Sequence, residues 1–143
     1  SLKQHKGSDN PVHNISNRNT IDAGYHWPCI VDWNGDGLLD LIVGAEDGLV
    51  RYFQRTQAGD GFVQLTGRQN PFNDVNVGWH SGVQAMDWDG DGDLDLLVGG
   101  WLHFSSNSIP PGLHQSNHPG LQLYLNESGQ LASPTFVFRP QAT

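Results

Sequence analysis

Apolar residues in this chain come in short runs separated by clusters of Gly, Asp, Asn and Pro, and they do not recur at the three-and-four spacing of an amphipathic helix. Short runs bounded by turn residues predict β-strands. They fall at 28–32, 39–44, 49–54 and 61–66, and again at 83–87, 94–99, 121–126 and 135–139. Asp47-Gly48 between the second and third runs is a hairpin turn signal. The reading is an all-β chain.

The runs repeat as a set. Ile30-Val31-Asp32-Trp33-Asn34-Gly35-Asp36-Gly37-Leu38-Leu39-Asp40-Leu41-Ile42-Val43-Gly44 returns 55 positions later as Ala85-Met86-Asp87-Trp88-Asp89-Gly90-Asp91-Gly92-Asp93-Leu94-Asp95-Leu96-Leu97-Val98-Gly99. Upstream, Gly24-Tyr25-His26 answers to Gly78-Trp79-His80 and Gly7-Ser8-Asp9-Asn10-Pro11 to Gly67-Arg68-Gln69-Asn70-Pro71; downstream, Gly48-Leu49-Val50-Arg51-Tyr52-Phe53 answers to Gly120-Leu121-Gln122-Leu123-Tyr124-Leu125. Two four-stranded units of about 50 residues have the size of β-propeller blades. The organisation expected is a linker and tail of a preceding blade over 1–23, a first blade over 24–77, and a second over 78–143 that carries an insertion at 101–119.

Composition sets the limits around this. The 143 residues suit one domain with a core, no apolar stretch reaches the roughly 18 residues of a membrane span, and a lone Cys29 makes no internal disulfide. With 7 Lys+Arg against 15 Asp+Glu, a nucleic-acid backbone has little to hold. Eight of the acidic residues lie in the two copied loops, as Asp32, Asp36 and Asp40 and as Asp87, Asp89, Asp91, Asp93 and Asp95. The remaining seven balance the seven basic residues, so the loops account for the whole net charge of −8. Crowded carboxylates repel, and a cation is the simplest compensation.

The loop pattern D-x-[DN]-x-D-G-x-x-D supplies hard oxygen donors at alternate positions, with a backbone carbonyl at position seven and a returning carboxylate at position nine. The expected cofactor is Ca²⁺, two ions in all. One is held by Asp32, Asn34, Asp36, the Leu38 carbonyl and Asp40, and the other by Asp87, Asp89, Asp91, the Asp93 carbonyl and Asp95. The other reading of these Asp-Gly pairs is metal-free turns. Trp33 and Trp88 are expected to cover neighbouring strands.

Asp-Trp-Asn-Gly-Asp-Gly-Leu-Leu-Asp-Leu-Ile-Val-Gly and its second copy resemble the FG-GAP/VCBS repeat, the integrin-α-type β-propeller blade, over most of residues 24–139. The resemblance implies a calcium-bearing propeller segment, secreted or at the cell surface and non-catalytic. A closed ring of 4 to 8 blades needs roughly 220 to 440 residues. Two blades therefore call for partners, either further blades of the same chain or copies of itself.

Meander topology puts both acidic loops at one end of the units and gathers His26, Trp27, Trp79, His80, Tyr25 and the Trp101 insertion at the other. Aromatic faces beside imidazoles suit a sugar ring or a protein side chain; equally, the aromatics could plug the gap between blades. Glycan is the ligand that the family analogy favours, with a structural subunit of a surface filament or a non-catalytic module of a polysaccharide-acting enzyme as alternatives. His103, His114 and His118 read as solvated loop residues and Cys29 as a small buried one. Asn14 and Asn126 begin N-glycosylation sequons. No nucleophile or metalloprotease motif is present, and catalysis is not expected.

Overall fold

The computed structural model describes residues 3–4, 26–57, 61–100 and 120–127, and the backbone of 136–139. Eight strands form: β1 (His26–Val31), β2 (Asp40–Ala45), β3 (Val50–Arg55), β4 (Phe62–Leu65), β5 (Gly82–Met86), β6 (Asp95–Gly99), β7 (Leu121–Asn126) and β8 (Phe136–Arg139). They make two four-stranded antiparallel sheets, β1-β2-β3-β4 and β5-β6-β7-β8, each a simple meander. Every run singled out in the sequence is a strand. Among the described residues, a short 3-10 turn at Gly67–Gln69 is the one element the hydrophobic pattern did not mark.

The sheets pack face to face, with β5 against β1 and β2. Strand alternation sends Leu41 and Val43 to one side of β2 and Ile42 to the other, and both sides are buried, which is why β2 is apolar at consecutive positions. Ile42 joins Cys29, Val50 and Tyr52 against Ala85, Leu96 and Val98 of the second sheet. Leu41, Val43 and Phe53 form a separate cluster on the outer face of the first sheet.

The segment between the sheets closes this core. Phe72 is fully buried, its ring 4.7 Å from that of Trp33 and 6.0 Å from that of Tyr52, both edge-on. Trp33 covers the core as expected, at 1% exposure, whereas Trp88 stands 53% exposed and covers nothing comparable. Further along, Val77 donates its N–H to the Gly48 carbonyl, His80 to that of Glu46 and Ser81 to that of Ala45. Buried Ser81 adds a staple: its Oγ accepts from Ala45 N at 2.7 Å and lies 2.8 Å from the Leu49 carbonyl as donor.

Backbones meet so closely here that side chains do not fit. A Cβ on Gly44 would collide with the Ser81 carbonyl oxygen and stand 2.7 Å from its carbon. At Gly99, which occupies the same place in the second sheet, a Cβ would meet nothing among the described residues nearer than 3.8 Å.

The two sheets differ by one register step. Tyr52 lies opposite Ile42, but Tyr124 lies opposite Leu96, the counterpart of Leu41. The third strands therefore correspond as Phe53 with Tyr124, one residue away from the sequence match of Tyr52 with Tyr124. Because side chains alternate along a strand, this step turns Tyr124 to the opposite face. That face is the one meeting the first sheet, so both tyrosines pack into the same core.

Candidate metal loops and the opposite aromatic end

The β1–β2 and β5–β6 loops have nearly the same internal wiring. Asp32 Oδ1 and Oδ2 accept from Asp36 N and Gly37 N at 3.1 and 2.9 Å, and Asp87 Oδ1 and Oδ2 accept from Gly90 N and Gly92 N at 2.7 and 3.2 Å. At position three, Asn34 and Asp89 accept from Asp36 N and Asp91 N. At position five, Asp36 and Asp91 accept from Leu38 N and Asp93 N, which fixes Leu38 and Asp93 at the loop exits. Four glycines, Gly35, Gly37, Gly90 and Gly92, take the positive φ that such a tight wrap requires.

Position nine does more than its spacing suggested. Asp40 is fully buried; its Oδ2 accepts from Trp33 N and from the Tyr52 hydroxyl, and its Oδ1 from Arg55 N. Asp95, 1% exposed, repeats this with Trp88 N on Oδ2 and Asn126 N on Oδ1. Each carboxylate thus ties its loop to the far end of the third strand. Burial, followed by the hydrogen bond and negative charge of Asp40, pushes the Tyr52 hydroxyl well above its ordinary pKa.

The donor set can be tested for fit to an ion. Asp87, Asp89 and Asp95 offer oxygens all within 4.8 Å of one another. Two oxygens on one Ca²⁺ at 2.3–2.6 Å are separated by at most about 5 Å, so these three could share an ion. Among the described residues this is the one group of three so gathered. In the first loop the Asn34 amide nitrogen donates to Asp36 Oδ2 at 3.0 Å, and Asp32, Asp36 and Asp40 are not drawn together in that way.

At the other end of the sheets, Trp27 begins the first unit and Trp79 and His80 lead into the second. The His80 ring is 6.2 Å from Trp27, edge-on, and 6.2 Å from Trp79, tilted. Trp27 and Trp79 remain 43% and 49% exposed. His80 holds φ of 52°, unusual for a residue with a side chain. His26 pairs with Ala45 on the neighbouring strand and is exposed. Beside this end Arg51 forms an ion pair with Asp47; burial would raise the Asp47 carboxyl, but the hydrogen bonds from Arg51 and Leu49 N and the Arg51 charge outweigh it and hold the group below its ordinary value.

Other expected residues fare differently. Tyr25, Trp101, Asn14, His103, His114 and His118 lie outside the described residues. Asn126 is 2% exposed within β7, and an attached glycan has no room there, so the second sequon is corrected to a core position. Cys29 is buried, its Sγ 3.4 Å from Ala85 N as acceptor. Sequence reasoning missed Ser81 and the tyrosine contact to Asp40, since neither falls in a recognisable motif.

No helix among the described residues is long and apolar enough to cross a membrane. Comparison with curated proteins and with solved structures gave no match. A family model described as the FG-GAP-like repeat matches residues 14–98, a span that contains the whole first sheet, the joining segment and the second acidic loop. With the duplicated loop wiring and the paired meanders, this places the chain in the FG-GAP-like repeat family.

Proposed function

We propose that the chain is a pair of consecutive blades of a calcium-stabilised, extracellular, non-catalytic β-propeller that recognises carbohydrate at the end opposite its metal loops. The observation that carries the ligand reading is the grouping of two exposed indoles, Trp27 from one repeat and Trp79 from the other, around the half-buried ring and strained backbone of His80. A left-handed His costs of order 1–3 kcal/mol relative to a relaxed residue, and such strain is concentrated at functional positions. Two indole faces and an imidazole provide stacking surface and directional hydrogen bonds for a sugar. The metal loops would act as structural clamps, remote from the ligand.

The test pairs affinity with stability. On a glycan array, followed by titration of the best-bound sugar, Trp79→Ala should lose affinity by about 1–3 kcal/mol while keeping its melting temperature. His80→Gly should also lose affinity, yet melt at the same or a higher temperature, because glycine relieves the strain. Variants that melt lower but bind unchanged would overturn the reading and leave these rings as an inter-blade plug.

A further inference from the structure

A cavity of about 190 Å³ opens at the metal-loop end of the first sheet, lined by Trp33, Asn34, Tyr52, Gln54, Leu65, Gln69 and Pro71. Its floor is rigid. The Trp33, Phe72 and Tyr52 rings interlock beneath it, and the Tyr52 hydroxyl is fixed on Asp40. The wall that carries Gln69 and Pro71 is held by the residue between them: Asn70 donates its side-chain N–H to the Val50 carbonyl at 3.0 Å and accepts from Phe72 N at 3.0 Å.

The lining chemistry is selective. Among the described residues no charged side chain lines the cavity, although the chain carries a net charge of −8. Among the described residues the side-chain amides of Gln54 and Gln69 make no hydrogen bond. Each offers two donor hydrogens and an acceptor oxygen. We propose that this cavity is a ligand site for an uncharged pyranose ring, separate from the Trp27, Trp79 and His80 end and independent of that reading. Adjacent sugar hydroxyls, each donor and acceptor at once, match a carboxamide that presents both functions side by side. The C–H face of the ring packs on the apolar side chains of Pro71 and Leu65. An anionic ligand finds no cation in the described lining and faces the acidic loop of which Asn34 is the third position. A cationic one finds no carboxylate in the lining, because the nearby Asp40 is already covered by Trp33 N, Tyr52 and Arg55 N.

Saturation-transfer NMR on the 143-residue chain in calcium buffer, with methyl glucoside, methyl galactoside and N-acetylglucosamine as separate probes, tests the site. Transfer to at least one probe is expected to persist in Trp27→Ala, the background that removes the aromatic end, and affinity in that background should fall tenfold or more when Gln54→Leu/Gln69→Leu is added. Gln69 lies on the exposed 3-10 turn, so Gln69→Leu alone gives a second variant whose fold does not depend on the core; it should weaken binding severalfold. Transfer to none of the three probes, transfer indifferent to both glutamine variants, or transfer abolished by Trp27→Ala would overturn the assignment. In the first two cases the cavity is a water pocket, and in the third the bound sugar sits at the aromatic end.

Discussion

The hydroxyl of Tyr52 donates to Oδ2 of Asp40 across 2.5 Å inside the core, the same oxygen that receives the N–H of Trp33 at the start of the acidic loop. The loop is therefore anchored to the packed interior and does not merely sit on the surface. Tyr52→Phe keeps the ring contact with Phe72 but strips one bond from a buried carboxylate, and should cost about 1.5–3 kcal/mol in denaturant unfolding. Tyr124→Phe, which loses a bond to the neutral Gln122, should cost about 0.5–1.5 kcal/mol. Equal losses would show that the carboxylate adds nothing.

Calcium should raise the melting temperature and EDTA should lower it, since an ion that binds only the folded state stabilises it by mass action, by about 2.7 kcal/mol at a hundredfold excess over Kd. Coincident melts would contradict the metal reading. The loops should also empty in order. The first, with Asn34 at position three, should release its ion before the second, which has Asp89 there and its carboxylates already gathered. Asp89→Asn should narrow that difference, as followed by chelator titration.

Ser81→Ala removes the acceptor of the buried Ala45 N–H and the hydroxyl shared with the Ala45 and Leu49 carbonyls. A loss of about 1–3 kcal/mol is expected. Hydrogen exchange should report it first at Ala45, on the strand that faces both cores.

Acid should weaken the turn at Asp47. Its carboxyl is held below the ordinary 3.8, so the native state favours the charged form. This contribution is complete above the unfolded value and is lost as pH falls through the lower folded one. Asp47→Asn should accordingly flatten the dependence of melting temperature on pH below about 4, and an unchanged acid limb would refute the assignment.

Most of the architecture could be read from the sequence because turn residues punctuate apolar runs so clearly; all eight strands and the sharing of one end by the acidic loops follow from that punctuation. Register did not follow. Matching Tyr52 with Tyr124 looked natural, yet a single-residue step leaves every residue type in place and reverses which face it serves. The position-nine carboxylates were legible as oxygen donors but not as anchors, because their partners, Trp33 N and Arg55 N or Trp88 N and Asn126 N, are backbone groups that any residue carries. The grouping of Trp27 with Trp79 and His80 was foreshadowed by their repeated placement. The cavity was not, since Gln54 and Gln69 come together only through the hook at Asn70.

Gly44 and Gly99 occupy the same place in their sheets, but among the described residues only the first is pressed by a neighbour's backbone. If blades follow one another as proposed, Gly99 is the socket for the next one, shaped for a carbonyl that none of the described residues brings. The two positions then fail under different circumstances. Gly44→Ala should damage the isolated chain, by about 1–3 kcal/mol or more for forced overpacking. Gly99→Ala should leave its melting curve untouched and reveal itself only when another unit tries to dock, as weakened association in sedimentation. A substitution that passes every test on the lone chain could thus disable the assembled one.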